Sequence, residues 1–233
     1  MKLQTNILLV FLSALLLSCS TENTVQNTEP TPKKFKYLAL GDSYTIGQSV
    51  CATCRFPIQL QDSIKKNLTS NDTFSTQIIA QTGWTTTNLK TAIATANPSS
   101  NFDLVTLLIG VNNQYQHKPF SLYEQEFPEL VSQAILFAKG NKNNVIVVSI
   151  PDYAYTPYGN GNTTISNEII SYNFFAENYC NANNITFVNI TDITTLGLLQ
   201  PDLVAGDGLH PSTIAYSKFV ERILPKAKIK LGI

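Results

Sequence analysis

The chain reads as an α/β protein, a three-layer α/β/α sandwich built on a five-stranded parallel sheet. Two observations predict it. Five apolar segments of strand length, at residues 35–40, 76–80, 102–109, 145–150 and 185–190, alternate with stretches of helical spacing. That alternation is the pattern of right-handed strand–helix–strand crossovers. The segments at 102–109 and 145–150 are almost wholly apolar, as expected of strands covered by helices on both faces.

In order along the chain, residues 35–40 form the first strand, which breaks at Gly41-Asp42-Ser43-Tyr44. Residues 57–68 follow as a helix opened by Pro57, with Ile58, Leu60, Ile64 and Leu68 mostly at helical spacing. A short strand at 76–80 precedes a helix at 85–96, and the central strand at 102–109 precedes a helix at 121–139. Pro128 lies inside that helix and is expected to kink or split it. The strand at 145–150 closes on Pro151-Asp152, and 153–164 is a long loop rich in Tyr, Pro, Gly and Asn. A helix at 165–180 leads to the fifth strand. Pro211 is expected to open the last helix, 211–224, whose pattern extends toward Lys230.

Ahead of this body, Met1-Lys2, an apolar run at 7–17 and Ser18-Cys19 have the form of a signal peptide spanning residues 1–18. Leu16-Leu17-Ser18-Cys19 resembles a bacterial lipobox, which implies cleavage before Cys19 and a diacylglycerol on its sulfur. An ordinary signal peptide with an incidental cysteine is the plainer alternative. Residues 19–34 are polar and contain prolines, a composition suited to a flexible tether. One folded domain, 35–233, is expected to face the periplasm or exterior from the bacterial cell envelope, anchored to membrane by its lipid and acting as a monomer. Basic and acidic residues balance at 16 each, with no basic stripe, which argues against a nucleic-acid partner. Cys51-Ala52-Thr53-Cys54 allows a loop disulfide or two free thiols. Arg55-Phe56-Pro57 separates it from the following helix, which disfavours thioredoxin-type chemistry, and no Cys/His cluster completes a zinc site.

Four short polar blocks follow strands or occupy the last loop. In an open parallel sheet, ligands bind beyond the carboxyl ends of the strands, so these blocks can converge there. Ser43 stands at a strand end; alone, such a serine is more often a helix cap. Asp207-Gly208-Leu209-His210 puts a carboxylate three residues before one of the chain's two histidines. That spacing lets the carboxylate fix the imidazole tautomer, although an isolated Asp-x-x-His is commonly a solvated turn. Gly83 and Asn112, after the second and third strands, offer a backbone and an amide donor of the kind an oxyanion requires.

As an ordered set, Gly-Asp-Ser-Tyr, the glycine after strand two, Gly110-Val111-Asn112 and Asp-x-x-His resemble the SGNH (GDSL-type) hydrolase superfamily, over residues 35–224. The resemblance implies a flavodoxin-like hydrolase fold and a catalytic triad of Ser43 as nucleophile, His210 as base and then acid, and Asp207 orienting the histidine. It also implies an oxyanion hole of the Ser43 N–H, the Gly83 N–H and the Asn112 side chain, with no metal or organic cofactor. One position departs from the family's pattern: Asn113 stands where it usually has aspartate. His117 reads as a loop residue. Of the aromatic residues near strand-end loops (Tyr44, Trp84, Tyr115, Tyr153, Tyr155 and Tyr158), Tyr44 and Tyr115 are the best candidates to touch substrate. The expected activity is that of an extracytoplasmic serine esterase on small acyl esters, on carbohydrate or lipid. Acyl transfer by the same site, or a silent glycan- or partner-binding lipoprotein, are the alternatives.

Overall fold

The computed structural model describes residues 31–233. The expected signal peptide, Cys19 and most of the tether lie outside them. Within Pro32–Ile233, a single compact unit, the strands are β1 (Lys34–Gly41), β2 (Thr73–Ala80), β3 (Leu104–Leu108), β4 (Val145–Val148) and β5 (Thr186–Val188). They pair in parallel in the order β2-β1-β3-β4-β5. The chain therefore leaves β1 toward one edge and returns to build β3 on its other side. Connections after β1 and β3 diverge, and the crevice between them is where such sheets bind ligands.

The helices are α1 (Ser43–Ile46), α2 (Phe56–Lys65), α3 (Thr86–Ala96), α4 (Val111–Tyr115), α5 (Phe120–Phe137), α6 (Thr163–Ala182), α7 (Thr191–Thr194) and α8 (Thr213–Leu231). α2 and α8 pack together on one face of the sheet, with α8 over β3 to β5, while α3, α5 and α6 form the opposite layer. The apolar periodicity of each long helix is buried against the sheet: Phe56, Leu60 and Ile64 on α2, and Phe219, Val220 and Ile223 on α8. A cluster of rings, Phe120, Tyr123, Phe127, Tyr172 and Phe175, joins α5 to α6.

Three helices fall outside the expected pattern. α1, α4 and α7 are four or five residues long, too short to show a period and too short to persist without tertiary support. Neither internal proline splits its helix. α5 runs through Pro128 and α8 through Pro225. In each case the carbonyl robbed of its donor belongs to an exposed glutamate four residues earlier, Glu124 or Glu221, so solvent can satisfy it. Pro211 does not open α8. It forms a bridge with Val204, and Ser212 caps the helix by accepting the Ala215 N–H.

Close backbone approach fixes residue 41 as glycine. A Cβ there would sit 2.1 Å from Thr45 Oγ1 on α1 and 2.5 Å from the Leu108 carbonyl at the end of β3. Gly41→Ala should lower the unfolding free energy by roughly 2–3 kcal/mol, the scale of core overpacking, as read by urea denaturation.

Candidate active site

Where β1 ends, Asp42 caps α1. Its Oδ1 accepts the Tyr44 N–H at 3.0 Å, and its carbonyl accepts the N–H groups of Thr45 and Ile46. Ser43 is the first residue of α1, so its own N–H is one of the donors a helix start leaves without an internal acceptor. Gly83 follows β2 in the left-handed region, φ +84°, a conformation that suits a residue without Cβ. Its carbonyl accepts the Gln116 amide at 2.7 Å, which fixes the local peptide orientation. Asn112 lies on α4, directly beyond β3. Its Nδ2 donates to the Trp84 carbonyl at 3.1 Å, the same side chain bears on the Asp42 carboxyl, and Asn112 lines the cavity.

His210 arrives from the last loop. Its Nδ1 lies 2.6 Å from Asp207 Oδ2, while Asp207 Oδ1 accepts the N–H groups of Leu209 and His210, each at 3.0 Å. With Nδ1–H donating to the carboxylate, Nε2 retains the free lone pair. The Tyr44 ring sits against the imidazole, with centroids 5.4 Å apart and planes tilted by 51°. Ser43, Gly83, Asn112 and His210 all line one cavity of about 200 Å³, which Tyr44, Thr82, Val111, Tyr115, Tyr153 and Leu209 complete. Ser43 and His210 share it without a direct hydrogen bond, and catalytic contacts of this kind often close only around substrate.

Two carboxyl groups flank the cavity in opposite electrostatic settings. Asp42 is fully buried and its Oδ2 has no hydrogen-bond partner. Burial pushes this carboxyl up to about 7, against the pull of the Tyr44 N–H. Partial burial also acts to raise the Asp207 carboxyl, but donors from Ser49, His210 and Leu209 outweigh it. They hold the group well below the usual carboxylate range.

Asn113 is buried and makes a reciprocal pair with Thr86. Its Oδ1 accepts the Thr86 N–H at 2.9 Å, and its Nδ2 donates to Thr86 Oγ1 at 2.7 Å. With that N–H accepted on its oxygen, the Thr86 hydroxyl donates its own proton to the buried Glu126 carboxylate at 2.5 Å. An aspartate at 113 would compete with Glu126 for the single hydroxyl proton, which accounts for the amide here.

His117 is exposed, has φ +52° and lines a separate groove with Lys118 and Glu168. Tyr115 is 44% exposed and its hydroxyl lies 2.8 Å from that of Tyr158. Tyr153 is buried and donates to Gln114 Oε1. Trp84 serves the cavity through its carbonyl alone, and Tyr155 does not line it. Cys51 and Cys54 are joined by a disulfide, and Cys180 is a buried free thiol. Sequence reasoning missed Gln48 and Ser49, which reach Thr82 and Asp207 from a loop with no recognisable signature. It also missed Gln116; nothing in the sequence ties these side chains to partners so far along the chain.

The model of the GDSL-like lipase/acylhydrolase family matches residues 39–218. No curated protein matches the chain by sequence. Among solved structures, a lipase/acylhydrolase from Enterococcus faecalis is similar at 18% identity and a TM-score of 0.64, covering 84% of this chain and 95% of its own. An acetylxylan esterase from Geobacillus stearothermophilus is similar at 18% identity and a TM-score of 0.59, covering 87% of this chain and 96% of its own. A lipolytic protein of the G-D-S-L family from Veillonella parvula reaches 0.62 at 16% identity, covering 82% of this chain and 97% of its own. At such identities the likeness speaks for the fold.

A carboxyl that folding raises binds its proton more tightly in the folded state, so its contribution to stability falls as pH climbs from about 4 toward 7. Asp42→Asn keeps the oxygen that accepts the Tyr44 N–H and removes the ionisation. Between pH 4.5 and 7 its unfolding free energy should gain about 3 kcal/mol relative to the parent chain, measured by urea denaturation at both pH values. Asn113→Asp should cost about 2 kcal/mol in the same assay at pH 7, because Thr86 is left between two carboxylates.

Proposed function

Because this chain belongs to the GDSL-like lipase/acylhydrolase family, and is a serine hydrolase acting on ester bonds, we propose that it cleaves esters of small acyl groups through an acyl-enzyme on Ser43. The carrying observation is the cavity itself. Its 200 Å³ or so bring Ser43 and His210 together with the Gly83 and Asn112 donors, in a space below that of pockets for drug-sized ligands.

In this reading His210 Nε2 takes the Ser43 Oγ proton as that oxygen attacks the ester carbonyl. Negative charge develops on the carbonyl oxygen, where the Ser43 N–H, the Gly83 N–H and the Asn112 side-chain amide meet it. His210 returns the proton to the departing alcohol, and water then repeats the sequence on the acyl-enzyme. Asp207, held ionised by its donors, keeps Nδ1–H in place and offsets the imidazolium charge.

The exposed ring of Tyr115, which lines the cavity, and that of Tyr158, paired with it through their hydroxyls, favour a carbohydrate as the alcohol. An aromatic face with a polar tip suits the mixed surface of a sugar. We also propose an extracytoplasmic location with anchoring through Cys19. The leader-like residues 1–18 support it, and so does the Cys51–Cys54 disulfide, since such bonds persist in oxidising compartments.

Hydrolysis of p-nitrophenyl esters tests the reaction and the acyl preference together. Acetate should be turned over faster than octanoate, and Ser43→Ala should reduce kcat by about 10⁴-fold or more. Equal rates on the long chain would remove the small-acyl reading, and an active Ser43→Ala variant would remove the mechanism.

A further inference from the structure

A second serine reaches the same carboxylate. Ser49 Oγ donates to Asp207 Oδ2 at 2.5 Å, across 158 positions of sequence. The backbone at Ser49 is left-handed, φ +65°, a conformation uncommon for residues other than glycine and one that marks places where surrounding structure dictates the fold. Here that structure is a tight loop. Gly47 ends α1, also left-handed at φ +78°. Gln48 Oε1 accepts the Thr82 hydroxyl at 2.7 Å. Cys51 and Cys54 close the next turn with their disulfide. Arg55 clasps it from behind, donating to the carbonyls of Ala52 and Ile46.

We propose that Ser49 is a positioning residue for the catalytic step, acting through Asp207. The assignment rests on the triad reading of Ser43, His210 and Asp207. Three of the donors on Asp207 come from its own turn: the N–H groups of Leu209 and His210, and the imidazole. Ser49 is the one from elsewhere in the fold, so it ties the carboxylate to the loop that follows the nucleophile. It shares Oδ2 with His210 Nδ1, and thereby fixes the rotation of the carboxylate plane on which the imidazole orientation depends. The neighbouring Gln48 contact fastens the same loop to Thr82, beside Gly83. One short segment thus holds the acid end of the triad and one wall of the oxyanion site in register.

Ser49 and Asp207 both reach solvent, so in a variant without the hydroxyl, water replaces it. Water satisfies the lone pair but not the orientation. The loss should therefore fall on kcat and leave substrate binding intact.

The test compares Ser49→Ala with Ser49→Gly. Glycine removes the hydroxyl but suits a left-handed backbone better than serine does, so it separates the two roles. On p-nitrophenyl acetate, both variants should lose about tenfold in kcat, the scale of a misplaced catalytic group, with KM within about twofold. Ser49→Gly should melt no lower than Ser49→Ala. If the glycine variant recovers the parent kcat, the residue serves the backbone alone and the proposal falls. A substrate-free readout runs alongside: the low-field proton resonance of His210 Nδ1–H in ¹⁵N-histidine-labelled protein. It should shift or broaden in both variants. An unchanged resonance overturns the proposal, whether or not the ester is turned over. A changed resonance in a protein inactive on every ester would leave the Ser49 coupling standing and sink the esterase reading instead.

Discussion

The backbone contact at Gly41 is the constraint on which the cavity depends. With no side chain at this position, the end of β1 lies against Thr45 and the Leu108 carbonyl, at separations no Cβ could enter. α1 is thereby pinned to the end of β3, and Ser43 is set opposite Asn112, which enters from the far side of the switch between β1 and β3. The Gly83 loop and the His210 turn complete a space whose depth the first contact has already fixed. The geometry of the cavity is a product of two backbones meeting, with the side chains placed afterward.

Much of this was legible before any coordinates. Five apolar segments mapped onto five parallel strands; a strand buried on both faces is apolar along nearly all its length, and β3 and β4 are. Strand ends were read less well. The segment at 102–109 shrinks to Leu104–Leu108, since apolar residues continue past the ladder into capping turns. Pro128, expected to kink or split its helix, misled in a more instructive way, since the helix is not split there. A proline breaks a helix when the carbonyl it frees is buried, and no linear pattern states which carbonyls face water. The cavity residues Ser43, Gly83, Asn112 and His210, with Asp207 bonded to His210, were readable as a set because each follows a strand or lies in the last loop. Ser49, Gln48 and Gln116 were not: their partners lie across the fold, and hydrogen bonding over such separations leaves no local signature.

Asp42 and Asp207 show how environment divides the labour of identical groups. Asp42, sealed beneath α1 with one oxygen unpartnered, is held toward its neutral form; Asp207, ringed by donors, is held as the anion. Neutrality at 42 limits negative charge beside the position where an oxyanion would form, and ionisation at 207 supplies charge where an imidazolium would need it. Asn113 follows the same logic at one remove, since its amide lets Glu126 remain buried without a rival carboxylate.

The order β2-β1-β3-β4-β5 has a consequence in time as well as space. In a wholly parallel sheet every neighbour is reached through a crossover, and the residues around the cavity come from four such connections and the segment after β5, with Ser43 before nearly all of the sheet and His210 after all of it. A chain emerging from the ribosome or from an export channel therefore presents its proposed nucleophile and oxyanion donors long before its proposed base exists. In the proposed mechanism, the serine stays an ordinary hydroxyl until Asp207 and His210 have emerged and docked.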